Sequence, residues 1–132
     1  MSSQKEVIRR TTVPQIASRK GGEPIVSLTS YHAHTAALVD KYADFILVGD
    51  SLGMVMHGQD STVTVTMDMM ELHTQAVVRG APSKFIVGDM PFLSNRGSLD
   101  KSIENVHRLM RAGAQAIKLE GVRGNETLIS HL

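Results

Sequence analysis

Four short runs rich in β-branched and aromatic residues alternate along the chain with longer segments that favour helix. The four runs are 25–29, 45–48, 85–87 and 116–119. An Ala-rich stretch at 33–42 separates the first two runs, and a last helix is expected after Asn125. Because parallel neighbouring strands need a crossover, this order predicts a parallel sheet with right-handed crossovers and helices outside it.

Capping residues mark the beginnings of the two longer predicted helices. Thr66 precedes the segment 67–79, and Ser98 precedes a segment at 99–110 whose apolar residues recur on one helical face. The side-chain oxygens of such residues accept hydrogen bonds from the unpaired N–H groups of a first helical turn. Gly113 supplies the stop of the second helix.

Composition sets limits on the class of protein. A hydrophobic fraction of 42% indicates a packed core, and a net charge of +1 gives no reason to expect nucleic-acid binding. The chain has no cysteine, which excludes disulfides, thiolate metal sites and cysteine nucleophiles, so a metal must be held by oxygen or imidazole. Apolar runs are only strand-sized, so no transmembrane helix or membrane partner is expected. The absence of cysteine fits a reducing compartment, and we expect a cytoplasmic protein.

The N-terminal segment differs in charge from the rest of the chain. Residues 1–22 hold five basic side chains against one acidic, whereas residues 23–132 hold nine basic against twelve acidic. No apolar stretch of signal-peptide length follows the basic residues before Pro24. We therefore expect 1–22 to form a basic arm or short helix and 23–132 to form one α/β domain.

Carboxylates follow three of the four predicted strands. They are Asp50, Asp89 and Glu120, and alternation along the last strand puts Lys118 on the same face as Glu120. Ligands of parallel α/β proteins bind at the carboxyl ends of the strands, so these side chains are the first candidates for a site. The alternative is that the two aspartates only cap the helices or turns that follow them.

Three carboxylates brought together would repel one another unless a cation lies between them. Oxygen ligands alone select a hard ion, Mg²⁺ before Zn²⁺, which keeps water or substrate oxygens in its other positions. A 2-oxo acid could chelate such an ion through its carboxylate and keto oxygens, and Lys118 would add a positive charge beside it. As a Lewis acid, the ion would stabilise the enolate formed when a proton leaves the carbon beside the ketone.

Several motifs, taken in order, resemble one family. They are TVPQI at 12–16, LTSY at 28–31, GDSLGM at 49–54, DST at 60–62, DMPF at 89–92 and KLEG at 118–121. Together these motifs are similar to ketopantoate hydroxymethyltransferases, also called 3-methyl-2-oxobutanoate hydroxymethyltransferases, over roughly 11–121. The combination is far more specific than any one of its short members.

The resemblance implies a (β/α)₈ barrel of the phosphoenolpyruvate/pyruvate-binding type, usually assembled as a homodecamer. It implies transfer of a hydroxymethyl group from 5,10-methylenetetrahydrofolate to 3-methyl-2-oxobutanoate, giving 2-dehydropantoate in pantothenate biosynthesis. By matching motifs, Asp50, Asp89 and Glu120 would be the magnesium ligands. The oxo acid would be held by Asp50, Ser51, Asp89 and Lys118.

The length of the chain limits what can be expected of its activity. The family chain is about twice as long, and its glutamate general base belongs to the C-terminal half, so no catalytic base is assigned among the 132 residues. We expect about four βα units, the N-terminal portion of the barrel, and an open edge that promotes homo-oligomerisation. Two other functions stay open: a non-catalytic fragment that keeps the metal and oxo-acid ligands, and a related oxo-acid C–C lyase or mutase.

Histidines and methionines outside these motifs suggest simpler roles. His32 and His34 are expected to make loop or cap contacts, and His73 to be half-buried and hydrogen-bonded. His57 follows the GDSLGM motif and is expected near the site without an assigned role. A group of methionines is expected to fill the core: Met54, Met56, Met67, Met69 and Met70.

Overall fold

A computed structural model describes residues 8–132. The part of the predicted basic arm that falls in residues 1–7 lies outside the described residues. The helices are α1 (Val13–Ala17), α2 (Ala33–Val39), α3 (Leu52–His57), α4 (Met67–Gly80), α5 (Leu99–Arg111) and α6 (Glu126–His131), with a 3₁₀ turn at Thr62–Thr64. The strands are β1 (Ser27–Thr29), β2 (Phe45–Val48), β3 (Phe85–Asp89) and β4 (Ala116–Lys118).

The four strands form one parallel sheet in the order β1-β2-β3-β4, which confirms the predicted topology. The two central strands hold the core of the molecule, where Ile46, Val48 and Ile86 are almost fully buried. In contrast, all three residues of β1 are exposed. Within residues 8–132, the sheet is therefore well covered in its middle and exposed at its edge strand β1.

The predicted caps are confirmed. The Thr66 side chain accepts a hydrogen bond from the N–H of Met69 at 3.2 Å, and Ser98 accepts one from the N–H of Lys101 at 3.3 Å. Gly113 adopts φ 108°, the left-handed region that glycine tolerates best, directly after α5. These local signals mark where α4 and α5 begin and where α5 ends.

Two elements were not expected from the sequence. Helix α3 follows directly after β2 and buries Leu52 and Gly53, and the 3₁₀ turn comes shortly after it. Glycine disfavours helix by about 1 kcal/mol, and Ser51 makes no side-chain cap bond, so no local signal marks the start of α3. Packing of Leu52 into the core therefore stabilises this helix.

The methionine expectation is correct only in part. Met70 is completely buried, and Met67 and Met69 pack against the core from partly buried positions. Met54 and Met56 are 47% and 41% exposed, because only Leu52 and Gly53 of α3 are buried. The core is filled by the methionines of α4 and not by those of α3.

Helix α4 packs against α2 at unusually close range. A Cβ atom added at Gly80 would lie 2.2 Å from the backbone oxygen of Ala33 and 2.7 Å from its Cα atom. Only a residue without a side chain allows the two helices to come this close. This contact fixes the position of α2, the first crossover helix, against α4.

Candidate functional site

Asp89 is the centre of a polar cluster at the carboxyl ends of the middle strands. Its Oδ2 atom accepts a hydrogen bond from Lys118 Nζ at 2.8 Å and another from the backbone N–H of Asp50 at 3.2 Å. Lys118 also forms an ion pair with Glu120. The three strand ends therefore converge as expected, with Asp50 and Lys118 in direct contact with Asp89.

The carboxylate of Asp89 is buried and only half satisfied. Its side chain is 2% exposed, and its Oδ1 atom has no hydrogen-bond partner in the protein. Burial raises the pKa of Asp89 and the negative charge of Asp50 adds to the rise, whereas the bonds from Lys118 and Asp50 oppose it. A buried acceptor without a donor is costly, so Oδ1 favours a cation or donor from a ligand.

Lys118 bridges the buried and exposed parts of the cluster. Burial lowers its pKa, but the bonds to Asp89 and Glu120 outweigh burial, so the pKa of Lys118 is raised overall and the ammonium stays charged. The bond from Lys118 also lowers the pKa of Glu120, whose side chain is 74% exposed. Glu120 therefore lies at the solvent rim, beyond the end of β4.

Ser51 is held by a residue to which no role was assigned from the sequence. The Tyr31 hydroxyl and the Ser51 Oγ atom are hydrogen-bonded at 2.8 Å, although the residues are 20 positions apart. Tyr31 follows β1 and Ser51 follows β2, so pairing of the two strands brings them together. Their separation along the sequence gave no signal for this contact.

A cavity of about 200 Å³ opens beside the cluster. Its walls include Asp50 and Glu120, together with a part of the loop after β3 that was not expected to contribute, Met90, Pro91, Phe92, Leu93, Asn95 and Arg96. Leu93 has φ 60°, a conformation that costs energy for a side chain of this kind. The strained loop and the carboxylates thus enclose one space large enough for a small organic acid.

The carboxylates at the strand ends fit a magnesium ion held by two protein carboxylates better than one held by three. Among residues 8–132, no group of three His, Asp or Glu side chains lies close enough together to hold an ion. Magnesium needs only one or two carboxylates, because water and substrate oxygens fill its remaining positions. Asp89, with its free buried Oδ1 atom, and the adjoining Asp50 meet that requirement.

Comparison with solved structures gives the class of the fold. The chain superposes on a 2,3-dimethylmalate lyase described as a member of the PEP mutase/isocitrate lyase superfamily, with a TM-score of 0.60 and 16% identity, covering 81% of this chain and 39% of that one. Phosphoenolpyruvate phosphomutase from Streptomyces platensis subsp. rosaceus gives a TM-score of 0.63, also at 16% identity, over 81% of this chain and 37% of that one. The four βα units therefore have the fold of part of a TIM barrel.

Sequence comparison narrows the class to a family. The ketopantoate hydroxymethyltransferase family model matches residues 10–132, and the chain belongs to that family. It is 56% identical over 115 residues to the 3-methyl-2-oxobutanoate hydroxymethyltransferase of Parvibaculum lavamentivorans, covering 86% of this chain and 42% of the relative. Identity to the enzyme of the same name from Phenylobacterium zucineum is 52% over 120 residues, 90% of this chain and 44% of that one.

The chain thus spans about two fifths of the length of these curated relatives. The family assignment and the barrel fold are both confirmed over that part. Within the described range 8–132, no helix has the length and apolar character needed to cross a membrane.

Proposed function

We propose that the cluster around Asp89 is the metal and oxo-acid part of a hydroxymethyltransferase site. The reaction is the transfer of a hydroxymethyl group from 5,10-methylenetetrahydrofolate to 3-methyl-2-oxobutanoate, which gives 2-dehydropantoate for pantothenate biosynthesis. The observation that carries the proposal is the buried, unpartnered Oδ1 atom of Asp89, at the strand ends of a chain in this family. That carboxylate oxygen is free to act as a ligand of a metal ion.

Asp50 and Asp89 would hold Mg²⁺, and Glu120 would contribute from the rim, through water or after its contact with Lys118 opens. When bound, Mg²⁺ acts as a Lewis acid that stabilises negative charge on oxygen. The strand order supports this assignment, because β2, β3 and β4 are consecutive neighbours whose carboxyl ends meet at one edge. Water and the oxo acid would supply the other oxygens.

The protein groups around the metal position would bind and orient the oxo acid. Lys118, charged and in contact with Asp89, lies where it would attract the carboxylate of the substrate. The Ser51 hydroxyl, oriented by Tyr31, can donate or accept a hydrogen bond to the same substrate. Asp50, Ser51, Asp89 and Lys118 thus form the proposed oxo-acid site.

Assembly and location are part of the same proposal. We propose a homo-oligomer, a decamer in the full-length family, acting in the cytoplasm on small molecules and not on nucleic acid. The exposed edge at β1 supports association, since unpaired strand edges are rarely left open to solvent. Val26 and Leu28, 46% and 38% exposed, add apolar surface there.

Product formation tests the function. The purified chain would be given 3-methyl-2-oxobutanoate, methylenetetrahydrofolate and Mg²⁺, and 2-dehydropantoate would be measured against the full-length Parvibaculum relative. Since the resemblance puts the general base in the C-terminal half of the family chain, we expect a rate at least about 100-fold below that of the relative. Equal rates would show that a base lies within these 132 residues.

The same assay separates the alternatives. Binding of Mg²⁺ and the oxo acid with no product at all would favour the non-catalytic fragment. Cleavage of a C–C bond in a larger oxo acid, without hydroxymethyl transfer, would favour the lyase or mutase. Failure to bind either ligand would contradict the proposed site itself.

A further inference from the structure

Two histidines from different helices meet at the surface of the molecule. His57 is the last residue of α3, and His73 lies in the second turn of α4. Their Nε2 atoms are 3.0 Å apart, and the two rings are nearly perpendicular, at 88°. The two nitrogens are within hydrogen-bond distance of each other, so the pair can share a proton or, after a small movement, a metal ion.

His73 is already oriented as a metal ligand. Its Nδ1 atom contacts the backbone carbonyl oxygen of Tyr31. A carbonyl oxygen can only accept a hydrogen bond, so His73 carries its proton on Nδ1 and keeps the lone pair on Nε2. Histidines that bind metals almost always donate their other ring N–H to an acceptor of this kind. The contact therefore fixes both the tautomer and the direction of the ring.

The distance between the two nitrogens is close to that of a metal site. Tetrahedral zinc with Zn–N bonds of about 2.0–2.1 Å holds two nitrogens about 3.3 Å apart. The observed 3.0 Å needs to widen by only a few tenths of an ångström, and His57 is exposed at the end of its helix. Moving the His57 proton from Nε2 to Nδ1 frees the second lone pair without a change of charge.

We propose that His57 and His73 form a two-histidine site for a divalent transition-metal ion such as Zn²⁺. Imidazole selects zinc, copper and nickel, whereas the carboxylates around Asp89 select magnesium, so the two sites differ in the ions they take. No third His, Asp or Glu joins the pair within residues 8–132. Water or an external ligand would fill the remaining positions, and the ion would bind reversibly.

The site adjoins the oxo-acid cluster through one residue. The Tyr31 carbonyl contacts His73, and the Tyr31 hydroxyl contacts Ser51. An ion on the histidine pair would therefore lie next to the loop that positions Ser51. The inference stands on the histidine geometry alone and does not depend on the proposed transfer reaction.

Zinc titration tests the inference. Isothermal titration of Zn²⁺ into the purified chain would be run with excess Mg²⁺ to occupy the carboxylate cluster. We expect one Zn²⁺ per chain, with Kd raised at least about ten-fold in His57→Gln and in His73→Gln. His34→Gln is the matched control, an exposed histidine of α2 outside the pair, and its Kd should be unchanged. Equal affinity in all four proteins would overturn the proposal.

A second measurement on the unmodified chain removes any dependence on how the variants fold. Imidazole ¹⁵N spectra should show that Zn²⁺ shifts the Nε2 resonances of His57 and His73 together, while His73 Nδ1 stays protonated. Shifts confined to other histidines would overturn the proposal. So would shifts of His57 alone, because the site requires both rings.

Discussion

Asp89→Asn should lower the affinity of the chain for Mg²⁺ by at least about 100-fold. The substitution removes the negative charge but keeps nearly the same shape in a side chain that is 2% exposed. The Oδ1 atom without a partner, which we assign to the metal, would become an uncharged amide atom, and Lys118 would lose its buried anionic partner. Isothermal titration with MgCl₂ measures the change.

Asp100→Asn is the matched control for this prediction. Asp100 is an exposed carboxylate in the first turn of α5, so its substitution makes the net charge more positive by the same one unit, away from the cluster. Its Mg²⁺ affinity should equal that of the unmodified chain. Similar losses of Mg²⁺ affinity in both variants would mean that the affinity depends only on the net charge of the chain. The proposal that Asp89 is a ligand would then be wrong.

Gly80→Ala should lower the free energy of unfolding by about 1–3 kcal/mol. In an uncrowded helix this change stabilises by about 1 kcal/mol, because alanine is the better helix former. Here the added Cβ atom would lie 2.2 Å from the oxygen of Ala33, and that neighbour is backbone, which cannot rotate away. Urea unfolding followed by circular dichroism measures the loss.

Gly97→Ala gives the comparison for Gly80→Ala. A Cβ atom at Gly97 would be 3.9 Å from its nearest neighbour, the Lys101 side chain, which is ordinary contact. The free energy of unfolding of this variant should stay within about 0.5 kcal/mol of the unmodified chain. Equal stability of the two variants would contradict the close packing of α4 against α2.

Local signals in the sequence were sufficient for the sheet and the long helices. The run 45–48 coincides with β2, because four consecutive strand-forming residues are ended by Gly49. Thr66 and Ser98 begin α4 and α5 through cap bonds within three residues, so no tertiary information was needed. Features that depend on near neighbours in the chain were therefore predictable.

The sequence predicted that the three strand ends would lie together, but it did not predict their detailed geometry. Alternation along β4 correctly put Lys118 and Glu120 on one face, where they form an ion pair. The strand ends at Lys118, however, so Glu120 continues past the sheet and lies exposed at the rim. Alternation says which face a residue takes but not how far the strand extends.

Contacts between distant residues had no local signal. The bond from Tyr31 to Ser51 and the contact between His57 and His73 each join residues on separate elements. They follow from the pairing of β1 with β2 and from the approach of His57, at the end of α3, to His73 of α4, which only the folded chain shows. For His57, the sequence indicated its neighbourhood but not its partner.

Titration of 3-methyl-2-oxobutanoate into the purified chain, with and without Mg²⁺, tests the central claim most directly. Because the oxo acid is proposed to complete the coordination of an ion held by Asp50 and Asp89, we expect one binding event that requires Mg²⁺ and disappears on adding EDTA. Binding of equal strength without Mg²⁺, or none in its presence, would contradict the account.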